Sequence, residues 1–422
     1  MNFADMQLDE RLVRAVNEMG YETPTAIQEK AIPILKKGHD MIAQSETGSG
    51  KTAAFGLPIL EKIEQGKGIQ ALIVTPTREL AEQIAKEFTK FAAHLSITHV
   101  LTYGGVSINP QIDNLKRAEI VIGTPGRILD HLNRRTMNLS GVRFLVLDEA
   151  DRMLDMGFID DVEKIINTTP KTRQTMLFSA TMPYEIVKLS KRYLRNPQTI
   201  ATKTHVERDF LEQVYYDVMR PEKYSLLVHL LHKEKPSLAM VFCATREQSD
   251  LVAKNLKKDG IEAKAIHGGL TQHRRNTIME GFHGGKIHVL VCTDVAARGL
   301  DVKNVSHIFN YDLPKTSDDY THRIGRTARA GEKGKAIALL SPEDHQSMRR
   351  ILQDQNLSVD KAVAGTYPRL QFRRSFQQEE GEYTQEYVRR QQRFEKRRSS
   401  ERGPPQRGGH STRSRKPRSG RR

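Results

Sequence analysis

Three clusters of residues have the types and spacing needed for phosphate chemistry. The first, Ser45-Glu46-Thr47-Gly48-Ser49-Gly50-Lys51-Thr52, follows the apolar Met41-Ile42-Ala43 and precedes a helix-forming run, AAFGLPILEKI. Gly48 and Gly50 let main-chain N–H groups turn toward phosphate oxygens, Lys51 reaches the outer phosphates, and the Thr52 hydroxyl is a ligand for Mg²⁺. Ser45 stands where the general phosphate-loop pattern has glycine. The second cluster, Asp148-Glu149-Ala150-Asp151 after FLVL, puts adjacent carboxylates at a strand end. Asp148 is placed to hold the ion that Thr52 also touches, and Glu149 to take a proton from an attacking water. The third, His322-Arg323-Ile324-Gly325-Arg326-Thr327-Ala328-Arg329, sets Arg326 and Arg329 one helical turn apart, close enough to address one phosphate together. Alone, the acidic run would read as helix-dipole partners and the arginines as a solvated basic helix. With the loop present, they read as parts of one nucleoside triphosphate site.

Positioning such groups takes a rigid frame, and the sequence supplies one. Short β-rich apolar runs alternate with helical patterns: ALIVTPT (71–77), EIVIGTPGR (119–127), FLVLDEAD (144–151), TMLFSAT (175–181), AMVFCAT (239–245) and HVLVCTD (288–294). That alternation predicts an α/β fold with parallel sheets buried on both faces, whose ligands sit beyond the carboxyl ends of the strands. A polar stretch, Thr202 to Asp209, interrupts the rhythm before QVYYDV starts a second series. The expected organisation is a first domain at 1–205, a linker at 206–212, a second domain at 213–364, and a disordered Arg-rich tail at 365–422.

Of the 422 residues 37% are apolar, enough for real cores in most of the chain. No N-terminal stretch has the order of a secretion signal and no apolar run is long enough for a membrane span, so a cytoplasmic protein is expected. Cys243 and Cys292 are the only cysteines, which excludes a disulfide framework and a four-cysteine zinc site. The formal charge of +16 points to a polyanionic partner, but it is concentrated: residues 391–422 hold twelve Lys or Arg against Glu395 and Glu401. The tail, with a transient helix expected near Tyr383 to Arg393, is suited to neutralising phosphates without reading sequence, and its single Arg407-Gly408-Gly409 resembles an RNA-binding RGG element.

These motifs, in this order over roughly residues 1 to 360, resemble those of the DEAD-box RNA helicases. The resemblance implies two tandem RecA-like domains with parallel sheets. It implies that Phe3, Tyr21 and Gln28, in an upstream aromatic and a Q motif (Gly20 to Gln28), join residues 45–52 in binding nucleotide, with Gln28 reading the adenine edge to select ATP. Gly299 and Asp301, in the DVAARGLD segment, would complete that site with Arg326 and Arg329. The catalytic set would be Lys51, Asp148, Glu149, Arg326 and Arg329, with ATP and Mg²⁺ as cofactors. Ser179 and Thr181 resemble the motif that couples hydrolysis to strand separation. For RNA, the matching residues are Pro76, Thr77, Arg78, Gly105, Thr124, Gly126 and Arg127 in the first domain, and Thr245, Gly268, Arg275 and Thr293 in the second. Two departures are small: Ser45 where alanine is frequent, and Ala328 where glycine is more usual.

The RNA motifs are mostly Thr, Gly, Pro and Arg, which suit backbone contact better than base reading. The expected activity is therefore RNA-stimulated ATP hydrolysis that opens duplexes locally or remodels RNA–protein complexes. Proteins of ribosome assembly or RNA decay are the expected protein partners, and no membrane is involved. Two rivals remain: an ATP-gated RNA clamp that rarely unwinds, which would use the same residues, and a DNA-directed translocase of the same superfamily, which shares the two RecA-like domains but against which the Q motif and the DEAD tetrapeptide argue.

Overall fold

A computed structural model describes residues 2–45, 48–201, 210–297, 300, 302, 305–328, 333–353 and 357–374. The apolar runs form strands at the expected places. In the first half these are β1 (Met41–Gln44), β2 (Ala71–Val74), β3 (His99–Thr102), β4 (Ile120–Gly123), β5 (Phe144–Leu147), β6 (Gln174–Ser179) and β7 (Gln198–Ala201). They pair in parallel in the order β3-β4-β2-β5-β6-β1-β7. In the second half, β8 (Leu211–Asp217), β9 (Ala239–Phe242), β10 (Ala263–Ile266), β11 (Val289–Cys292), β12 (His307–Asn310), β13 (Gly334–Leu340) and β14 (Asp360–Ala362) pair in the order β10-β11-β9-β12-β13-β8-β14. Ranked by chain position, both sheets have the same permutation: third, fourth, second, fifth, sixth, first, seventh.

Because helices cover both faces, the central strands β2, β4, β5, β9 and β11 carry no polar side chain other than the Cys292 thiol. On β5, Phe144 and Val146 join one core cluster while Leu145 and Leu147 join the cluster on the opposite face. The same alternation separates the two cysteines: Cys243 and Cys292 are free, buried and assigned to opposite faces of the second sheet. The helices are fixed at their starts by the residues expected to bind ligands. Thr77 caps the helix Arg78–Phe91 by accepting the Leu80 N–H at 3.3 Å, and Thr245 caps Arg246–Lys258 by accepting the Gln248 N–H at 3.1 Å.

The expected end of the second domain at Ala364 falls short of its packing. Tyr367, Leu370 and Phe372 cover the core beside the helix Lys223–Glu234: the Phe372 ring lies 5.1 Å from Tyr224, and the Leu370 N–H donates to Ser225 Oγ at 2.9 Å. The segment after Ala364 looked too polar to fold because its apolar residues are widely spaced; the structure gathers them on one face. Of the expected linker at 206–212, residues 206–209 lie outside the described residues, whereas Leu211 and Glu212 already belong to β8; the chain from 375 on, including the RGG element and the expected helix near Tyr383, also lies outside the described residues. Among the described residues, no helix is long and apolar enough to cross a membrane.

Candidate functional site

The strand order sorts the motifs. In the first sheet, Ser45, Asp148 and Glu149, and Ser179 end or directly follow β1, β5 and β6, which are neighbours; Pro76 to Arg78, Gly105, and Thr124 to Arg127 follow β2, β3 and β4, which form the adjoining half. The second sheet repeats the division, with Gly268, Thr293 and Thr245 after β10, β11 and β9. Nucleotide and RNA candidates therefore occupy adjoining halves of the same carboxyl-end edge.

At the phosphate loop, Lys51 opens the helix Lys51–Lys62 and is 7% exposed; its Nζ donates to the Ser45 carbonyl at 3.3 Å and lies 3.8 Å from Asp148 Oδ1. Ser45 N–H in turn donates to the Ser179 carbonyl at 3.0 Å, which fastens the loop to β6. Gly50 has φ +92°, and a side chain there would meet Gln28 Nε2 at 2.5 Å, so conformation and space both demand glycine. Gly48 also has positive φ, and Thr52 is half-buried.

Two of the residues expected to bind nucleotide, Phe3 and Gln28, are buried. Phe3 is 1% exposed, packed in the first core cluster with its ring 6.5 Å from Tyr21, so it has almost no surface for a ligand. Gln28 is 3% exposed: its Nε2 donates to the Gly50 carbonyl at 3.0 Å and its Oε1 accepts the Thr25 N–H at 2.8 Å. Its amide ties the loop to the start of the helix Ala26–Lys36, a role the sequence could not distinguish from adenine reading. Tyr21 stays half-buried, with its hydroxyl donating to Glu87 at 3.1 Å.

The acidic run carries opposed electrostatics. Burial lifts the Asp148 carboxyl to about 6 although Lys51 is near. Burial would raise Glu149 too, but the charge of Arg152, then that of Lys51, a hydrogen bond from Arg152 and the charge of Arg326 hold it far down, at about 2. Glu149 adopts φ +52°, a left-handed conformation costly for a side-chain-bearing residue and typical of functional sites. Its Oε2 accepts from Arg152 while its Oε1 is buried without a partner. Asp151, which was not among the expected site residues, holds the coupling motif. Its Oδ2 accepts the N–H of Ala180 at 3.1 Å, the N–H of Thr181 at 2.8 Å and Thr181 Oγ1 at 3.0 Å. Ser179 Oγ donates to the Thr181 carbonyl at 2.7 Å and accepts the Asp151 N–H at 3.1 Å, closing the loop.

From the second domain, Arg326 is 5% exposed, donates to the Leu300 carbonyl at 3.1 Å, and lies within electrostatic reach of Glu149. His322 feels the charges of Asp151 and Glu149, and burial lowers its pKa. Arg323, also missed, is buried and grips Asp294 through Nε at 2.6 Å and Nη2 at 2.7 Å, bracing the segment that leads to Gly299. Glu46, Thr47, Gly299, Asp301 and Arg329 lie outside the described residues.

Across the RNA half, Arg78 lies against Gly105, whose φ is +82° and where a Cβ would fall 2.1 Å from Arg78 Nη1. Arg127 Nη2 donates to the Val106 carbonyl at 3.0 Å, while its Nη1 is buried without a partner. Thr124 is half-buried, Gly126 exposed, and Pro76 and Thr293 buried at strand ends; Gly268 backs onto Arg246. Arg275 reaches across the domains to Glu79, Nη2 to Oε1 at 3.0 Å. Glu79 was absent from the expected set because only tertiary contact shows that a cation meets it.

Comparison with known proteins agrees with this geometry. The DEAD/DEAH box helicase model matches residues 25–189 and the helicase conserved C-terminal domain model matches 222–331. The chain is 46% identical to the ATP-dependent RNA helicase CshA of Listeria monocytogenes over 368 residues, covering 86% of this chain and 71% of that protein. A DEAD box protein of the hyperthermophile Methanococcus jannaschii is 43% identical, with 86% of this chain and 99% of that chain covered and a TM-score of 0.53. Saccharomyces cerevisiae Dbp5 bound to RNA and ADP BeF3 is 31% identical, with 86% and 96% covered and a TM-score of 0.79. On these matches the chain belongs to the DEAD-box family of ATP-dependent RNA helicases.

Proposed function

We propose that the protein hydrolyses ATP in the cleft between its two domains and uses domain closure to grip RNA by its backbone and separate short duplexes or strip bound proteins. The observation that carries this reading is that Arg326 of the second domain lies within electrostatic reach of Glu149 of the first, and His322 within reach of Asp151 and Glu149. Lys51 and the loop N–H groups hold the β- and γ-phosphates, Glu149 accepts the proton of the attacking water, and Arg326, joined by Arg329, neutralises charge on the transferred phosphoryl. Glu149 is ionised at neutral pH, and its Oε1, which has no hydrogen-bond partner among the described residues, can accept the proton, although the pairing of Oε2 with Arg152 makes it a weak base.

Mg²⁺ fits the donor set. Asp148 is buried, close to the loop, and lifted to about 6, a carboxylate whose ionised form gains from a cation. Among the described residues no cluster of three His, Cys, Asp or Glu could cage a metal, so Asp148 and Thr52 would hold the ion jointly with phosphate oxygens and water. When bound, it neutralises phosphate charge.

RNA would lie along the half-edge carrying Arg78, Gly105, Thr124 to Arg127, Thr245, Gly268, Arg275 and Thr293. The bond from Thr181 to Asp151 ties the segment after β6 to the acidic run after β5, and β5 pairs with β2, whose end carries Pro76 to Arg78. Protein partners in ribosome assembly or RNA decay, and action in the cytoplasm, belong to the same reading. The test is steady-state ATP hydrolysis without nucleic acid, with single-stranded RNA, and with DNA of the same sequence. Stimulation by RNA alone is the expected result; equal stimulation by DNA would overturn the RNA assignment.

A further inference from the structure

Strands β1, β5 and β6 carry the nucleotide residues at their carboxyl ends, and at their opposite ends they open a second recess. A cavity of about 470 Å³ lies between the turns leading into Phe144 and Gln174, and its only ionisable lining side chains are Lys62, Arg143, Arg173 and Arg195. Since a strand rises roughly 3.3 Å per residue, four-residue β5 and the turn after it place Glu149 roughly 15 Å from this recess.

The cations are held in place by main-chain carbonyls. Lys62 Nζ donates to Lys36 O at 2.7 Å and Leu35 O at 3.3 Å; Arg195 Nη2 donates to Arg173 O at 2.8 Å and Thr172 O at 3.0 Å; Arg173 Nη1 donates to Pro170 O at 3.0 Å. Carboxylates are scarce. Arg143 pairs with exposed Glu64 at 2.8 Å, and Asp40, which lies within electrostatic reach of Arg173, directs its oxygens to the N–H groups of Thr175 at 2.9 Å and Arg195 at 2.7 Å. Arg173 is 6% exposed, has no carboxylate in salt-bridge contact among the described residues, and its Nε is buried without any hydrogen-bond partner. A buried guanidinium left so incompletely matched is costly unless an anion completes it. Burial lowers the pKa of both Arg173 and Lys62, and the neighbouring Arg195 and Arg143 add to the respective effects.

We propose that this recess is a second phosphate site of the first domain, taking a small, multiply charged phosphate chain. Its volume is in the range of small-molecule sites, and its cations converge on one concavity, whereas a nucleic-acid backbone needs a groove that tracks it. The turns that line it lead into β5 and β6, whose far ends bear Asp148, Glu149 and Ser179, so an anion here sits at the back of the hydrolytic site.

The test is calorimetric titration of inorganic tripolyphosphate into the full chain, as wild type and as Lys51→Ala, which disables the nucleotide loop. Lys51→Ala is expected to retain one tripolyphosphate site, with ATP binding there no more tightly than the inorganic chain. In that background Arg173→Gln should weaken the site at least about tenfold, and Arg143→Gln, on an exposed side chain that leaves folding intact, about threefold. Every variant carries the same arginine-rich tail, so unchanged affinity in Arg143→Gln and Arg173→Gln would move the phosphates to the tail and overturn the proposal. Loss of all tripolyphosphate binding in Lys51→Ala would overturn it too, as would displacement of tripolyphosphate by single-stranded RNA, which would make the recess part of an RNA surface.

Discussion

Replacing Asp151 by alanine tests whether the acidic run and the coupling motif form one unit. The Asp151 side chain is 6% exposed and one of its oxygens accepts three donors from Ala180 and Thr181, at 2.8–3.1 Å. A hydrogen bond to a charged group contributes roughly 1.5–3 kcal/mol. Three donors on one oxygen do not add fully, and Ala180 and Thr181 are half-exposed, so water recovers part of the loss. The expected destabilisation of the first domain by Asp151→Ala is therefore about 3 kcal/mol, and by Asp151→Asn, which keeps one acceptor oxygen, about 1–2 kcal/mol. Urea unfolding followed by a probe in the first domain measures the stability, and the ratio of strands separated to ATP hydrolysed measures the coupling. ATP affinity should change little, because Lys51 and the loop are untouched, while unwinding per ATP should fall several-fold. The reasoning is refuted if Asp151→Ala matches wild type in midpoint and in coupling ratio.

Three further outcomes follow from the geometry. Ala328 has φ +53°, a conformation that costs alanine roughly 1–2 kcal/mol and glycine almost nothing; its methyl is only partly buried, so Ala328→Gly should stabilise the second domain by about 0.5–1 kcal/mol, and a lowered urea midpoint would show that methyl packing outweighs strain. Glu79 and Arg275 are 15% and 13% exposed and bridge the domains at 3.0 Å, so a double-mutant cycle on RNA-stimulated ATPase should return a coupling of about 1 kcal/mol, whereas independent effects would deny the bridge any part in closure. Burial, helped by Arg127, lowers the pKa of His131, whose Nε2 faces Gln111 Oε1 at 3.1 Å. The unfolded chain then binds the proton more readily, so this contribution to stability is full above pH of about 6.5 and declines as pH falls from there toward the folded value. Urea midpoints at pH 7.5 and 5.5 should differ less in His131→Asn than in wild type; equal slopes would contradict the assignment.

What the sequence by itself determined is local. The apolar runs gave the strands, because a segment buried on both faces must be apolar throughout, and the glycines, hydroxyls and charges that follow each run marked the carboxyl ends where ligands bind. The phosphate loop, the two carboxylates and the arginine motif were legible because their chemistry depends on residues adjacent in the chain. Which strand lies beside which was not, since a four-residue apolar run carries no record of its neighbour. The order that puts β5, β6 and β1 side by side, and β3, β4 and β2 beyond them, exists only once the crossover helices pack. That order gathers the residues expected to bind nucleotide on one half of the carboxyl-end edge and those expected to bind RNA on the other. Partner choice was equally hidden: Asp151 meets Thr181, and Glu79 meets Arg275, across long stretches of chain. The same limit holds for Phe3 and Gln28, whose packing in the core and against the loop residue type does not announce. Residue type states what a group is able to do; burial and distance, fixed by the packed fold, decide what it touches.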